Sequence, residues 1–281
     1  MKKILILGGT GFVGRHLCEQ LMQLQWRATV PTRHEARARG IQMLPALDVV
    51  QADVHDEAAL TRLVASHDAV VNLVARLHGT EAAFEQVHVQ LPQKMARACA
   101  ATGVTRLIHI SALGADSRNP DAAPSMYLRS KGRGEVALHH ADLAATLLRP
   151  SVMFGSGDRF LNTFVRLQKV FPLIPLAASQ ALFQPVWVRD VASAIVHCLQ
   201  DENLHATAGR TFEACGPGVF TLRQLVEFAG RCSGVNGGRG RPVIALPAGL
   251  GRLQARLMAL APGEPLMSRD NLDSLQVPNI A

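Results

Sequence analysis

The sequence predicts an α/β protein: a doubly wound parallel sheet with helices on both faces, followed by a smaller C-terminal lobe. Three observations carry this. An apolar run, Ile4-Leu5-Ile6-Leu7, leads straight into the glycine-rich stretch "GGTGFVG" and then into apolar residues at helical spacing, Leu17, Leu21 and Leu24. Strand-like and helix-like segments alternate up to about residue 153. From Phe154 onward the pieces become short and proline-marked.

The first strand is apolar on both faces, which fits an interior position in a parallel sheet, because an edge strand would show alternating polar letters. Gly8, Gly11 and Gly14 then follow at three-residue intervals. Such a strand, glycine turn and helix aim free backbone N–H groups and the positive end of a helix dipole at one point, where an anion such as pyrophosphate fits. Gly8 allows the tight turn, Gly11 the approach of phosphate to the backbone, and Gly14 close packing of helix on strand. The start "MKKILIL" has the charged and apolar parts of a signal peptide, but the glycines arrive where the apolar region should continue, so it reads as strand one and the protein as cytoplasmic.

Further along, "RATVPTR" reads as strand two, "DVVQADV" as strand three, "HDAVVNLVA" as strand four, "TRLIHISAL" as strand five and "AATLLRPSVMFG" as strand six. Residues 56–66 and 84–102 carry helical patterns between them, and "DVASAIVHCLQ" is a later amphipathic helix. This makes a Rossmann-type domain of residues 1–153, to which 184–215 return, and a substrate or capping lobe of 154–183 and 216–281. "VNGGRGRPV" occurs once and reads as a linking loop rather than a nucleic-acid tract. Trp187, between Val186 and Val188, is expected in the core. "ALPAGLGRLQARLMALAPGEP" reads as an amphipathic helix, with Leu250, Leu253, Leu257 and Leu260 toward one side and Arg252 and Arg256 on another. It would pack over the substrate pocket or, alternatively, meet a membrane surface or partner.

With 281 residues, 48% hydrophobic and 18% charged, the chain can bury a sizeable core, and no apolar run reaches the roughly 18 residues of a membrane span. Five cysteines without a C-x-x-C pair suggest neither a disulfide framework nor a zinc site, and the histidines show no metal spacing. The cysteines are expected reduced and mostly buried. A net charge of +7 suits nucleic acid, an anionic surface or a phosphate-rich cofactor alike.

The end of strand two normally carries an acid that binds the adenosine ribose of NAD. Here it reads Thr32-Arg33-His34. A carboxylate would repel a 2'-phosphate, whereas Arg33 offers it a charge-assisted fork, so NADP(H) is favoured over NAD, with Arg37 and Arg39 nearby. Glu35 is the adjacent acid that would serve NAD instead. Asp53 is placed either to reach the adenine amino group or to cap, and Asp56 to cap the next helix. In "YLRSK", Tyr127 and Lys131 share one helix face. A phenol near pKa 10 becomes a useful acid or base at neutral pH when an adjacent ammonium and a cationic nicotinamide lower it, so Tyr127 would exchange a proton while hydride moves. Tyr127 is the one tyrosine in the chain.

"GGTGFVG", "ADVHD", "HISALGAD", "YLRSKGRGE", "LLRPSVMFGSGDRFLN" and "FQPVWVRDVA", in this order, resemble the short-chain dehydrogenase/reductase superfamily. More narrowly they resemble its atypical branch, similar to NAD-dependent epimerase/dehydratases, that holds the NADPH-binding accessory subunit of respiratory complex I and its bacterial relatives. The likeness covers most of residues 1 to about 230. It implies that Gly8, Thr10, Gly11, Phe12, Val13 and Gly14 hold the pyrophosphate, Arg33 the 2'-phosphate, and Asp53 with Val54 the adenine. It also implies that Leu73, Val74 and Ala75 border the cofactor, that Pro150, Ser151 and Val152 line the nicotinamide side with Tyr127 and Lys131, and that Ser111 sits near the substrate. Ala75 stands where glycine is frequent, and Ser111 lies nearer the strand end than the usual catalytic hydroxyl. Two functions follow from the resemblance: an NADP(H)-dependent oxidoreductase or epimerase-like enzyme acting on a small molecule, or a non-catalytic NADPH-binding protein associated with a respiratory or membrane assembly.

Overall fold

In a computed structural model of the chain, residues 2–247, 249 and 268–281 are described. Strand β1 (Lys3–Leu7) is the middle of the main sheet: Ile4, Leu5, Ile6 and Leu7 are wholly buried, and β2 (Arg27–Thr32) and β4 (Ala69–Asn72) flank them. With β3 (Leu47–Gln51), β5 (Arg106–Ile110), β6 (Ala144–Pro150) and β11 (Thr211–Ala214), the sheet runs β11-β6-β5-β4-β1-β2-β3. Every pairing in it is parallel. The direction of winding reverses between β1 and β4, and in such sheets the ligand crevice lies outside the strand carboxyl ends at that reversal.

Alternation of side chains along each strand divides the core into two layers. Ile4, Ile6, Val71, Ile108 and Ile110 pack with α1 (Phe12–Gln23) and α7 (Val188–Gln200). Leu5, Leu7, Val70 and Leu107 pack with α2 (Glu57–Val64), α4 (Leu91–Thr102) and α5 (Met126–His139). A third cluster, Ile174, Leu176, Phe183, Leu222, Leu225, Val226 and Val243, lies outside the sheet. It joins α6 (Leu161–Val170), β8 (Ile174–Leu176), β9 (Leu182–Phe183), α8 (Leu222–Cys232) and β12 (Val243–Ala245).

Several local expectations are corrected. Residues 84–102 are not one regular helix: α3 (Glu81–Glu85) passes through a π turn, Gln86–Gln90, into α4. The sixth strand is interrupted after Pro150, and β7 (Met153–Phe154) leaves the main sheet to pair with β10 (Val186–Trp187). Strand β11 escapes the sequence reading because four residues at a half-buried edge carry too little pattern. Trp187 is not a core residue: it is 43% exposed, with the Arg189 guanidinium 5.5 Å above its ring. Adjacent strand residues face opposite ways, so burying Val186 turns Trp187 outward. Of the free cysteines, Cys18, Cys99 and Cys198 are buried, while Cys232 is exposed. The leucine and arginine positions of the expected helix, 250–260, lie outside the described residues. A last helix, α9 (Arg269–Ser274), returns to pack against α5. Among the described residues no helix is long and apolar enough to cross a membrane.

Candidate dinucleotide and proton-transfer site

The glycines are explained by contact distances. Gly8 has φ +83°, and a Cβ there would lie 3.0 Å from the carbonyl carbon of Leu73 and 3.1 Å from the Val74 nitrogen. The turn is therefore pressed against the end of β4, where the Leu73 amide donates to Leu7 O at 2.9 Å. A Cβ on Gly14 would come within 2.5 Å of Gly9 Cα, so α1 meets the turn backbone directly. Gly9, which the three-residue spacing passes over, is constrained as tightly: its Cβ would sit 2.5 Å from a Val30 methyl. Gly11 caps α1 with no side-chain hydrogen bond to the first turn, which leaves the amides of Phe12 and Val13 for an external acceptor. Thr10 contributes its carbonyl to Arg15 Nε at 3.1 Å. A bare turn ending in an uncapped helix start fits a diphosphate.

At the far end of the crevice, Arg33 follows β2 and is exposed, as is Glu35. Asp53 lies two residues past β3 and accepts from the His55 amide at 3.0 Å, while Asp56 caps α2 through the amides of Ala58 and Ala59. Val54 packs on the core beneath them. Burial holds His55 below the usual imidazole range; Asp53 opposes this, and Lys94 and Arg33 add to it. Arg33 and Lys94 thus make this corner positive, and the buried His55 Nδ1 has no protein partner.

At the other end, α5 carries Tyr127, whose ring packs against Phe84 and His88, and Lys131, which reaches the carboxyl end of β5. Lys131 is 1% exposed and donates to Ile110 O at 3.0 Å. Ser111, immediately past β5, is buried with an unpartnered hydroxyl. Burial lowers Lys131 to about 8, partly offset by Glu135 one turn on. Glu135 is itself fully buried and held by Arg149 through two bonds of 2.9 and 2.5 Å. The protein alone does not lower the Tyr127 phenol: burial pushes it up to about 12. The ammonium that would oppose this is directed at the Ile110 carbonyl.

Three residues near this pair escaped the sequence reading. His88, in the π turn, stands 5.5 Å from the Tyr127 ring, edge to face. Its Nε2 accepts from the Arg76 amide, so the proton lies on Nδ1 and goes to Ser130 Oγ at 2.8 Å; Ser130 in turn donates to the Tyr127 carbonyl. Burial first, then the charge of Lys131, drive His88 down to about 2, so it stays neutral. Asn72, at the end of β4, accepts from the Val74 amide and donates to His109 Nδ1 at 3.0 Å. The His109 proton is then on Nε2, which is buried and meets no acceptor. A single polar letter, Asn72, inside the apolar run "AVVNLVA" was the available signal for the second pair.

The wall after β6 is tied on both sides. Pro150 O accepts from the Leu113 amide at 3.0 Å. The Ser151 hydroxyl and Val152 amide both donate to Asn279 Oδ1, at 2.6 and 2.8 Å. These two donors of the expected nicotinamide wall are therefore taken up within the chain.

The sequence profile of the NAD dependent epimerase/dehydratase family matches residues 4–215, from β1 through β11, the whole of the main sheet. The chain belongs to this family. Among curated relatives of this epimerase/dehydratase chain, the mitochondrial NADH dehydrogenase (ubiquinone) 1 alpha subcomplex subunit 9 of Arabidopsis thaliana is 35% identical over 229 residues, 79% of this chain and 56% of that protein. The chain thus spans little more than half the length of that relative. Ceramide reductase of Caulobacter vibrioides is 30% identical over 194 residues, 69% of this chain and 59% of the reductase. Among solved structures, the Bordetella bronchiseptica enzyme WbmG in complex with NAD and UDP superposes with a TM-score of 0.72 at 22% identity, over 88% of this chain and 83% of WbmG. That likeness shows the fold. The family membership makes this an NAD(P)-binding chain of the short-chain dehydrogenase/reductase type.

Proposed function

We propose that this epimerase/dehydratase-family chain is an NADP(H)-dependent oxidoreductase or epimerase-like enzyme acting on a small carbonyl or hydroxyl compound. The observation that supports the reading is that Tyr127 and buried Lys131 lie one turn apart on α5, with Lys131 bonded to Ile110 O at the end of β5, next to the unpartnered hydroxyl of Ser111. In the crevice a nicotinamide would give or take the hydride. Tyr127 donates its proton to the substrate oxygen in the reducing direction, and Ser111 orients that oxygen by a second hydrogen bond. Lys131, at about 8, is mostly protonated at neutral pH and stabilises the phenolate left behind. Gly8, Thr10, Gly11, Phe12, Val13 and Gly14 receive the diphosphate, Asp53 and Val54 border the adenine, and Leu73, Val74, Ala75 and Pro150 line the crevice. Arg33, exposed beside β2, selects the 2'-phosphate.

A second reading is supported by the name of the Arabidopsis relative: a chain that binds NADPH as part of a respiratory assembly and does not turn it over. Tyr127→Phe separates the two. An enzyme assayed with NADPH and a panel of ketones and aldehydes loses about 10²-fold or more in kcat, with calorimetric NADPH affinity within about twofold. A wild-type protein that binds NADPH, oxidises it with no substrate and remains bound to a respiratory assembly on purification overturns the enzymatic reading.

A further inference from the structure

The segment 268–281 touches the loops that follow β4, β5 and β6. Asn271 Nδ2 donates to Leu77 O beyond β4 at 3.3 Å. Val277 lies against Gly114 beyond β5, where an added Cβ would be 3.0 Å from its methyl. Asn279 holds Ser151 and Val152 beyond β6, and its backbone is fixed between Leu182 O and the Gln184 amide. Asp270, 8% exposed, reaches α5 itself: Oδ1 accepts from the Met126 amide at 2.6 Å and Oδ2 from the Tyr127 amide at 3.1 Å. Ser125 Oγ takes the next amide, that of Leu128, at 3.2 Å. A short helix start normally leaves these amides to water; here a carboxylate from a segment 143 residues away seats the turn that carries the phenol.

We propose that Asp270 is a positioning residue for Tyr127, holding the first turn of α5 so that the phenol ring stays seated against Phe84 and His88. Those rings lie 6.2 and 5.5 Å from the Tyr127 ring. The charged and titratable groups on the elements that meet here are Arg129, Lys131, Arg133 and Glu135 on α5 itself and Glu81, Glu85 and His88 from α3 and the π turn. His109 comes from β5, Asp121 from the loop before α5, and Arg269, Asp270 and Asp273 from α9. Glu85 and Asp121 are paired with Arg133, Glu135 with Arg149, and His88 is neutral. The environment of the phenol is therefore set mainly by how deeply the ring is seated, and loosening the turn exposes it to water. The role rests on Tyr127 being the proton donor, yet its test reads the phenol directly and needs no substrate.

Because Tyr127 is the sole tyrosine, the full chain produced with 3-fluorotyrosine gives one fluorine resonance, and ring fluorination acidifies the phenol so that it titrates at lower pH. In Asp270→Ala the titration midpoint of that resonance falls by about one unit or more, and Asp270→Glu recovers at least about half of the shift. NADPH affinity, governed by the opposite end of the crevice, changes by no more than about twofold. A folded Asp270→Ala whose midpoint stays within about 0.2 units of the unmodified chain overturns the proposal, as does a full shift in Asp270→Glu. Should Asp270→Ala fail to fold, Asp270→Asn, which keeps one acceptor and turns an amide toward the Tyr127 N–H, is read by the same criterion. Absence of turnover with the expected midpoint shift would overturn the enzymatic reading alone, leaving Asp270 as the group that seats the Tyr127 ring without a proton transfer to serve.

Discussion

Arg33 stands exposed one residue beyond β2, where an acid would serve the ribose of NAD, and its charge reaches the corner that holds His55 and Asp53. A charge-assisted fork to a phosphate is worth about 1.5–3 kcal/mol, so Arg33→Ser weakens NADPH binding by about tenfold to a hundredfold. NADH, which lacks the phosphate, is affected by less than about threefold. Isothermal titration with both cofactors checks this, and equal losses for the two would assign Arg33 to the solvated start of the turn instead. Residues of this kind can be proposed from the sequence because their chemistry is local: a glycine triplet, an arginine at a strand end and a tyrosine four residues before a lysine are each patterns within a few consecutive residues. His88, Asn72 and His109 were not, since each acts through a partner 12 to 42 residues away.

The element that joins α3 to α4 shows how backbone geometry carries the site. An extra residue in the π turn directs the His88 carbonyl onto α5 at Gly134, where a Cβ would come within 1.9 Å of that oxygen. Gly134→Ala must push the two elements apart, and a loss of about 2–4 kcal/mol in urea unfolding is expected, against about 1 kcal/mol gained from helix propensity alone. A stabilised Gly134→Ala would show that the contact relaxes freely. His88 also makes the fold sensitive to acid. Its folded value is depressed to about 2 from the ordinary 6.5, so the stability it confers is present above 6.5 and is lost as pH falls below it, because the unfolded chain takes up the proton first. The slope is about 1.4 kcal/mol per pH unit for this histidine, and His109, also held well below its usual range, adds to it. Urea midpoints at pH 7 and pH 5 should differ less in His88→Gln than in the unmodified chain. The regular helical pattern over residues 84–102 concealed this turn, since one inserted residue shifts the period too little to be read from side chains.

Across the molecule, buried ions tie the lysine of the site to the sheet. Glu135, fully buried, supports the charge of Lys131 and is neutralised by Arg149 from β6. Arg149→Met leaves that carboxylate unpaired and should cost about 3–5 kcal/mol, whereas the double change Glu135→Leu with Arg149→Met restores most of the stability; chemical denaturation of the three variants distinguishes a coupled pair from independent residues. Arg106 plays a similar part at the other end of β5, bonding Ala144 O, Thr146, Cys198 O and Thr207. What the sequence determined alone is the order of the first six strands and the glycine turn between β1 and α1, because burial on both faces, 3.6-residue periodicity and a left-handed glycine at Gly8 are properties of consecutive residues. The same holds for the Tyr127 and Lys131 pair, which one helical turn brings together. Only the tertiary structure decided that Trp187 faces outward, that burial raises the phenol, and that Asp270 and Asn279 hold the start of α5 and the backbone after β6, because each depends on which distant segments come together and exclude water.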